Sequence, residues 1–177
     1  MYTLDSVRLF REKIGKKKII LDTNLLLLLL VGGCDKNFLN QHACTEKYTG
    51  IDHDLLINIF RFFDPTIVIT PHILTEFSNL SRRDIKEPRI QHFIATVRDR
   101  LKNYKEEQVS LGRLLNTKVS VLALYGFADM SIIEVAKKID AVVLTDDISL
   151  ALYADSFHIP SIKFGALKAD NLLKLAR

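Results

Sequence analysis

Four acidic residues, Asp22, Glu76, Asp129 and Asp147, stand where elements of this sequence begin or end. Asp22 closes the apolar stretch Lys17–Leu21 and precedes Thr23, Asn24 and a run of leucines. Asp147 follows a second apolar stretch, Ala141–Leu144, after Thr145 and Asp146. Glu76 falls in the early turns of a helix begun by Thr70–Pro71, and Asp129 opens another. Taken singly, each would serve as a helix cap or a solvated acid. Gathered at one place, they would repel by about 4 kcal/mol per pair at ~4 Å and an effective dielectric of about 20. Helix N-termini return only about 0.3–1 kcal/mol per charge. Such a group therefore calls for a cation. Donors that are all oxygen select hard ions such as Mg²⁺ or Mn²⁺, and these ions act on phosphates.

The elements that must position these acids follow from pattern. Lys17–Asp22, Thr66–Thr70 (TIVIT) and Ala141–Leu144 (AVVL) are short apolar runs of strand length, as buried parallel strands are. Asn24 is placed to cap the leucine helix, which Gly32 and Gly33 stop. Residues 34–50 are polar and irregular. Residues 52–63 form an amphipathic helix with Asp52 as cap. Thr70 as N-cap and Pro71 at the first helical position begin the next helix, which Pro88 interrupts. Residues 89–115 read as a long basic helix, and Lys118–Leu124 as a short third strand. Tyr125–Asp129 is a turn, and Ser131 with Glu134 has capping-box spacing. A helix follows Asp147, Ser161–Phe164 is an edge strand, and helices are expected over 2–14 and 169–177. Strands alternating with helices imply an α/β fold, a parallel sheet covered on both faces. In such a sheet, strand C-termini and helix N-termini share one edge, so all four acids point to one rim, where ligands of open parallel sheets bind.

Bulk properties narrow the classes. A chain of 177 residues with 48% hydrophobic content suits one domain with a sizeable core. Two cysteines, Cys34 and Cys44, make no disulfide framework, and with His42 and His53 they match no common zinc spacing. The seven-residue run Leu25–Val31 falls short of the ~20 residues a membrane span needs. Charged residues near the N-terminus do not suit a secretory signal, so a cytoplasmic protein with no membrane partner is expected. The net charge is +4, and residues 81–118 hold ten Lys/Arg against five Asp/Glu. Arg82, Arg83, Lys86, Arg89, Arg98, Arg100, Lys102 and Lys105 in that stretch suit either a phosphate-tracking surface or a solvated, ion-paired face.

LDTN, TPHILTEF, FADMSIIEVAKK and VVLTDDISLALYA, in that order across residues 17–165, resemble the acidic motifs of PIN-domain nucleases. That resemblance implies a three-layer α/β/α sandwich on a parallel sheet of four to five strands. It implies a metal-dependent endoribonuclease in which Asp22, Glu76, Asp129 and Asp147 hold one or two Mg²⁺ or Mn²⁺ ions. Asn24, Ser131, Thr145 and Asp146 would be supporting groups, with Asp146 in the variable place of the T-x-D pattern. RNA is the implied substrate, and an inhibitory protein partner and a homodimer follow by analogy with the toxin members. The chain is longer than those, reading as one domain over 1–177 with extra helical material at 34–64 and 81–118. An aspartyl-phosphate enzyme of the haloacid dehalogenase type would need a second Asp where Asn24 stands. The rival of another class is a silent module of the same fold that binds RNA or protein without cutting.

Overall fold

The structure, a computed structural model, describes residues 18–169. The expected terminal helices over 2–14 and beyond Ala169 lie outside the described residues. Five strands form one wholly parallel sheet in the order β3-β2-β1-β4-β5. They are β1 Lys18–Leu21, β2 Thr66–Ile69, β3 Lys105–Glu106, β4 Val142–Thr145 and β5 Ser161–Lys163. Ile19, Ile20 and Leu21 in β1 and Val142, Val143 and Leu144 in β4 have no exposed surface, so continuous apolar runs mark strands covered on both faces.

The helices are α1 Thr23–Cys34, α2 Gly50–Phe63, α3 Pro71–Asp84, α4 Arg89–Leu101, α5 Leu111–Leu115, α6 Val119–Ile139, α7 Ile148–Ser156 and α8 Phe164–Ala169, with a 3₁₀ turn at Lys36–Gln41. Parallel crossovers are right-handed. The links β1→β2→β3 run one way along the sheet and β3→β4→β5 the other, so α1–α4 cover one face and α5–α7 the opposite face. The result is a three-layer α/β/α sandwich. The direction of travel reverses between β1 and β4, and that switch point is where an open sheet leaves a crevice.

Helix α1 is buried all round: Leu25–Leu30 are at most 2% exposed. At about 1.5–3 kcal/mol for each fully buried leucine, it is the principal apolar anchor of its layer. It packs against α2, α3, α4 and the 3₁₀ turn. Helix α6 has the length and apolarity of a membrane span, yet Met130–Ile133, Val135 and Ala136 are buried against the sheet.

Several local expectations are corrected. Residues 118–124 lie in helix α6 rather than a strand, with Val119 and Leu124 pointing to solvent. The third strand is instead Lys105–Glu106, which breaks the expected 89–115 helix after Leu101 and pairs with Val68 and Ile69. Two charged residues at a sheet edge carry no apolar alternation, and edge strands are commonly short and charged. Asp22, not Asn24, caps α1. Thr49 caps α2, with Asp52 three residues on completing the capping box. Gly32 and Gly33 do not end α1, which continues to Cys34. Gly32 instead admits the His53 ring, since a Cβ there would lie 2.6 Å from His53 Cδ2, and a Cβ at Gly33 would meet the Arg100 guanidinium.

Candidate functional site

Parallel register sets the first pair. Leu21 of β1 lies level with Leu144 of β4, so the next residues, Asp22 and Thr145, emerge side by side at the switch point. The Thr145 hydroxyl donates to Asp22 Oδ2, and the Asp146 N–H donates to the same oxygen at 3.0 Å. Asp22 Oδ1 accepts from Leu25 N at 2.7 Å as the cap of α1. Asp22 is 3% exposed. Burial raises its pKa, against the opposing pull of these three hydrogen bonds and of Lys47. Thr145 Oγ1 also accepts from Asp147 N at 2.9 Å, and Asp147 Oδ1 caps α7 by accepting from Ser149 N and Leu150 N at 2.7 and 3.1 Å. The T-x-D segment is thus a hydrogen-bonded turn that ties both aspartates to the ends of β1 and β4.

The second pair arrives from helices. Thr70 follows β2 and caps α3 with Pro71 at its first position, as expected. Five residues on, Glu76 Oε2 accepts from the Thr23 hydroxyl at 2.5 Å, which ties α3 to the start of α1. Helix α6 is interrupted at Gly126, whose φ of 76° and ψ of 177° are non-helical, so a new helical run starts after it. Asp129 lies in the first turn of that run. Ser131 is fully buried and donates to Ala128 O at 2.7 Å, leaving its oxygen to accept from the Thr70 hydroxyl at 2.7 Å. The expected capping box does not form: Ser131 locks α6 to α3, and Glu134 instead pairs with Arg113 and Lys137.

These tethers bring Asp22, Glu76 and Asp147 within electrostatic reach of Asp129. Burial pushes the Asp129 carboxyl up to about 7, and the charges of Asp22, Glu76 and Asp147 push it the same way. A cavity of about 420 Å³ opens beside Glu76 and Phe127–Ala128. Among the described residues, no three Asp, Glu, His or Cys side chains already form a group spaced to hold a metal ion. Oxygens of Asp22, Glu76 and Asp147 are turned to protein donors instead. In type, though not in spacing, the set is all carboxylate, the donor chemistry that hard divalent ions select.

Of the supporting residues, Thr145 and Ser131 hold acid-bearing elements in place. Asn24 is half-buried in the first turn of α1. Asp146 Oδ2 accepts from Tyr48 Oη at 3.1 Å and pairs with Lys47 Nζ at 3.1 Å. Sequence reasoning missed Thr23, Lys47 and Tyr48. Thr23 sits in the LDTN motif and was legible by its place, whereas Lys47 and Tyr48 lie in a stretch without periodicity.

The residues of the basic stretch make a scattered set of contacts. Arg100 donates to Gly33 O at 3.0 Å, Arg89 lies over the Phe38 ring and Arg83 reaches Cys44 Sγ. Gly33 is at the C-terminal end of α1, about 16 Å along the axis from Asp22 at 1.5 Å per residue. Arg98 and Lys102 pair with Asp99, Lys105 lies in β3, Lys86 lines a cavity with Phe38 and Arg89, and Arg82 is exposed.

No protein-family model and no curated protein matches this sequence. Among solved structures, it is similar to a domain of a functionally unknown protein from Methanocaldococcus jannaschii DSM 2661. The two are 20% identical, with 83% of this chain and 90% of that one covered at a TM-score of 0.44.

Proposed function

We propose that the protein is a metal-dependent endoribonuclease of PIN-domain type, hydrolysing phosphodiester bonds in cytoplasmic RNA. The observation that supports this is Asp129, a part-buried carboxyl on which three other acids act. Helix caps have no need of one another, and a fold gains nothing from concentrating four carboxylates unless a cation joins them.

Asp22, Glu76, Asp129 and Asp147 would hold Mg²⁺ or Mn²⁺. The chemistry such an ion supplies when bound is polarisation of the phosphate and activation of water. The chain's own part is to hold and orient. Thr145 and the amides of Leu25 and Asp146 fix the Asp22 carboxylate, so it needs no reorganisation when substrate arrives. Thr23 fixes Glu76, and the Thr70–Ser131–Ala128 chain fixes the helix that carries Asp129. The proton that Asp129 retains up to about pH 7 must leave before that carboxylate binds a cation, so activity should rise from pH 6 to pH 8.

A second reading, a silent RNA-binding module, is favoured by one feature: the carboxylates of Asp22, Glu76 and Asp147 are already engaged by protein donors. Labelled single-stranded and hairpin RNAs, incubated with Mg²⁺ and with Mn²⁺, separate the two. A nuclease cuts in an EDTA-sensitive manner, and Asp22→Asn or Asp129→Asn abolishes cutting. A silent module binds the same RNAs uncut, and Asp22→Asn binds them equally well or better.

A further inference from the structure

An acidic rim repels a polyanion, so an RNA that reaches it needs a cation close by. Within the basic stretch, Arg100 is anchored at the far end of α1 and Arg89 over Phe38 just beyond it. Lys47 acts on the charge of Asp22, and Lys168 shares an aromatic neighbour with Lys47. Lys47 Nζ pairs with Asp146 at 3.1 Å, and Asp146 donates its N–H to Asp22. Lys168, from α8, pairs with Asp52 Oδ1 at 3.1 Å. Both ammonium groups lie 5.0 Å from the centre of one ring, that of Tyr48, which is fully buried and donates its hydroxyl to Asp146 at 3.1 Å. Gly165 lies against the same group, since a Cβ there would be 3.6 Å from Asp146 Oδ1.

We propose that Lys47 and Lys168, braced on Tyr48, form a phosphate-binding subsite for RNA on the Asp22 side of the rim. The subsite deepens the ribonuclease proposal and rests on it for the choice of RNA as ligand. Neither lysine pairs with one of the four acids. Each ammonium has three donors, and the side chains are 51% and 33% exposed, so donors remain for phosphate oxygens. The aromatic face and the ion pairs hold both cations in place before RNA arrives, which reduces the ordering that binding requires. Because both contacts are to phosphate, the subsite positions a strand without reading its sequence. Lys47 also offsets the charge of Asp22. Its removal should therefore leave divalent-ion affinity unchanged or stronger while RNA affinity falls, a split that a merely structural lysine would not produce.

The test uses the full chain and a fluorescein-labelled mixed-sequence single-stranded RNA. Binding is read by anisotropy in EDTA across a salt series, Mn²⁺ binding by calorimetry, and KM and kcat by cleavage in Mn²⁺. The double variant Lys47→Ala/Lys168→Ala should bind RNA roughly tenfold more weakly at about 0.1 M salt, with a log–log salt slope shallower by roughly 0.7 per lysine. Its Mn²⁺ affinity should not fall, its KM should rise more than its kcat drops, and Lys47→Arg/Lys168→Arg should restore most binding. Unchanged RNA affinity and slope in the double alanine variant overturns the subsite, as does a wild type that binds no RNA. So does loss of binding confined to an Arg98→Ala/Lys102→Ala control. If the wild type cuts RNA with a KM indifferent to the two lysines, the subsite falls and the nuclease stands. If binding depends on the lysines but no RNA is cut, the subsite stands and the hydrolase proposal falls.

Discussion

Replacing Asp129 with Asn removes a carboxyl on which three other acids act, and its consequence depends on pH in a calculable way. Folding raises the Asp129 carboxyl from the ordinary 3.8 to about 7, through burial first and then through Asp22, Glu76 and Asp147. A raised acid stabilises the fold only while it keeps its proton. Below the unfolded value the two states are protonated alike; as pH climbs to about 7 the unfolded chain ionises and the folded one does not, and stability is lost. A rise of about three pH units at about 1.4 kcal/mol each is about 4 kcal/mol in all, of which about 3 kcal/mol falls between pH 5 and pH 8. In EDTA, Asp129→Asn should therefore gain about 3 kcal/mol on the wild type between those two pH values. In a domain of this size, that is a relative rise in melting temperature of roughly 5–10 °C. Asp22, whose carboxyl is also raised by burial, adds a pH dependence of the same sign to both proteins. Millimolar Mn²⁺ at pH 8 should close or reverse the gap, because the wild type gains binding free energy that the variant forgoes. Differential scanning fluorimetry at both pH values, with and without Mn²⁺, provides the assay. A melting difference between variant and wild type that is the same at pH 5 and pH 8 would show that folding does not raise the Asp129 carboxyl, by burial or by the other acids.

Three further substitutions probe the scaffold around that site. Thr145→Val removes the hydroxyl that donates to buried Asp22, and should cost about 1–3 kcal/mol by denaturant unfolding, with Thr145→Ser recovering most of it. Gly126→Ala should cost about 1–3 kcal/mol purely through the backbone, since φ is 76°, ψ is 177° and a Cβ there meets nothing within 4 Å. Gly32→Ala should destabilise by about 1–3 kcal/mol through collision with the His53 ring, and the cost should shrink when His53 is also Ala; additive costs would contradict the contact.

How much of this was legible in the sequence depended on the length scale of the signal. The strands at 18–21, 66–69 and 142–145 are legible because burial on both faces demands unbroken apolar runs, and Thr70–Pro71 announces its helix by cap chemistry. The expectation of a common rim rests on those elements alone, since strand ends and helix starts share an edge in a parallel sheet. What escaped is tertiary. Lys105–Glu106 becomes a strand only because Val68 and Ile69 lie alongside it. Gly32 and Gly33 look like helix stops but make room for His53 and Arg100, which lie 21 and 67 residues away in sequence. Ser131 has the spacing of a capping box, yet Thr70, 61 residues earlier, takes its oxygen. Lys47 and Tyr48 sit in a segment with no period, and only their packing against Asp146 gives them a role.

The central claim is that carboxyl groups at 22, 76, 129 and 147 share one divalent cation. Calorimetric titration of Mn²⁺ at pH 8 into the wild type and into Asp22→Asn, Glu76→Gln, Asp129→Asn and Asp147→Asn tests it most directly, with Asp54→Asn, a surface acid paired to Lys36, as the control. Each of the four should bind Mn²⁺ at least about tenfold more weakly than the wild type, a loss of about 1.4 kcal/mol or more, while the control binds as the wild type does. A wild type that takes up no Mn²⁺ at millimolar concentration, or four variants that bind it undiminished, would contradict the account.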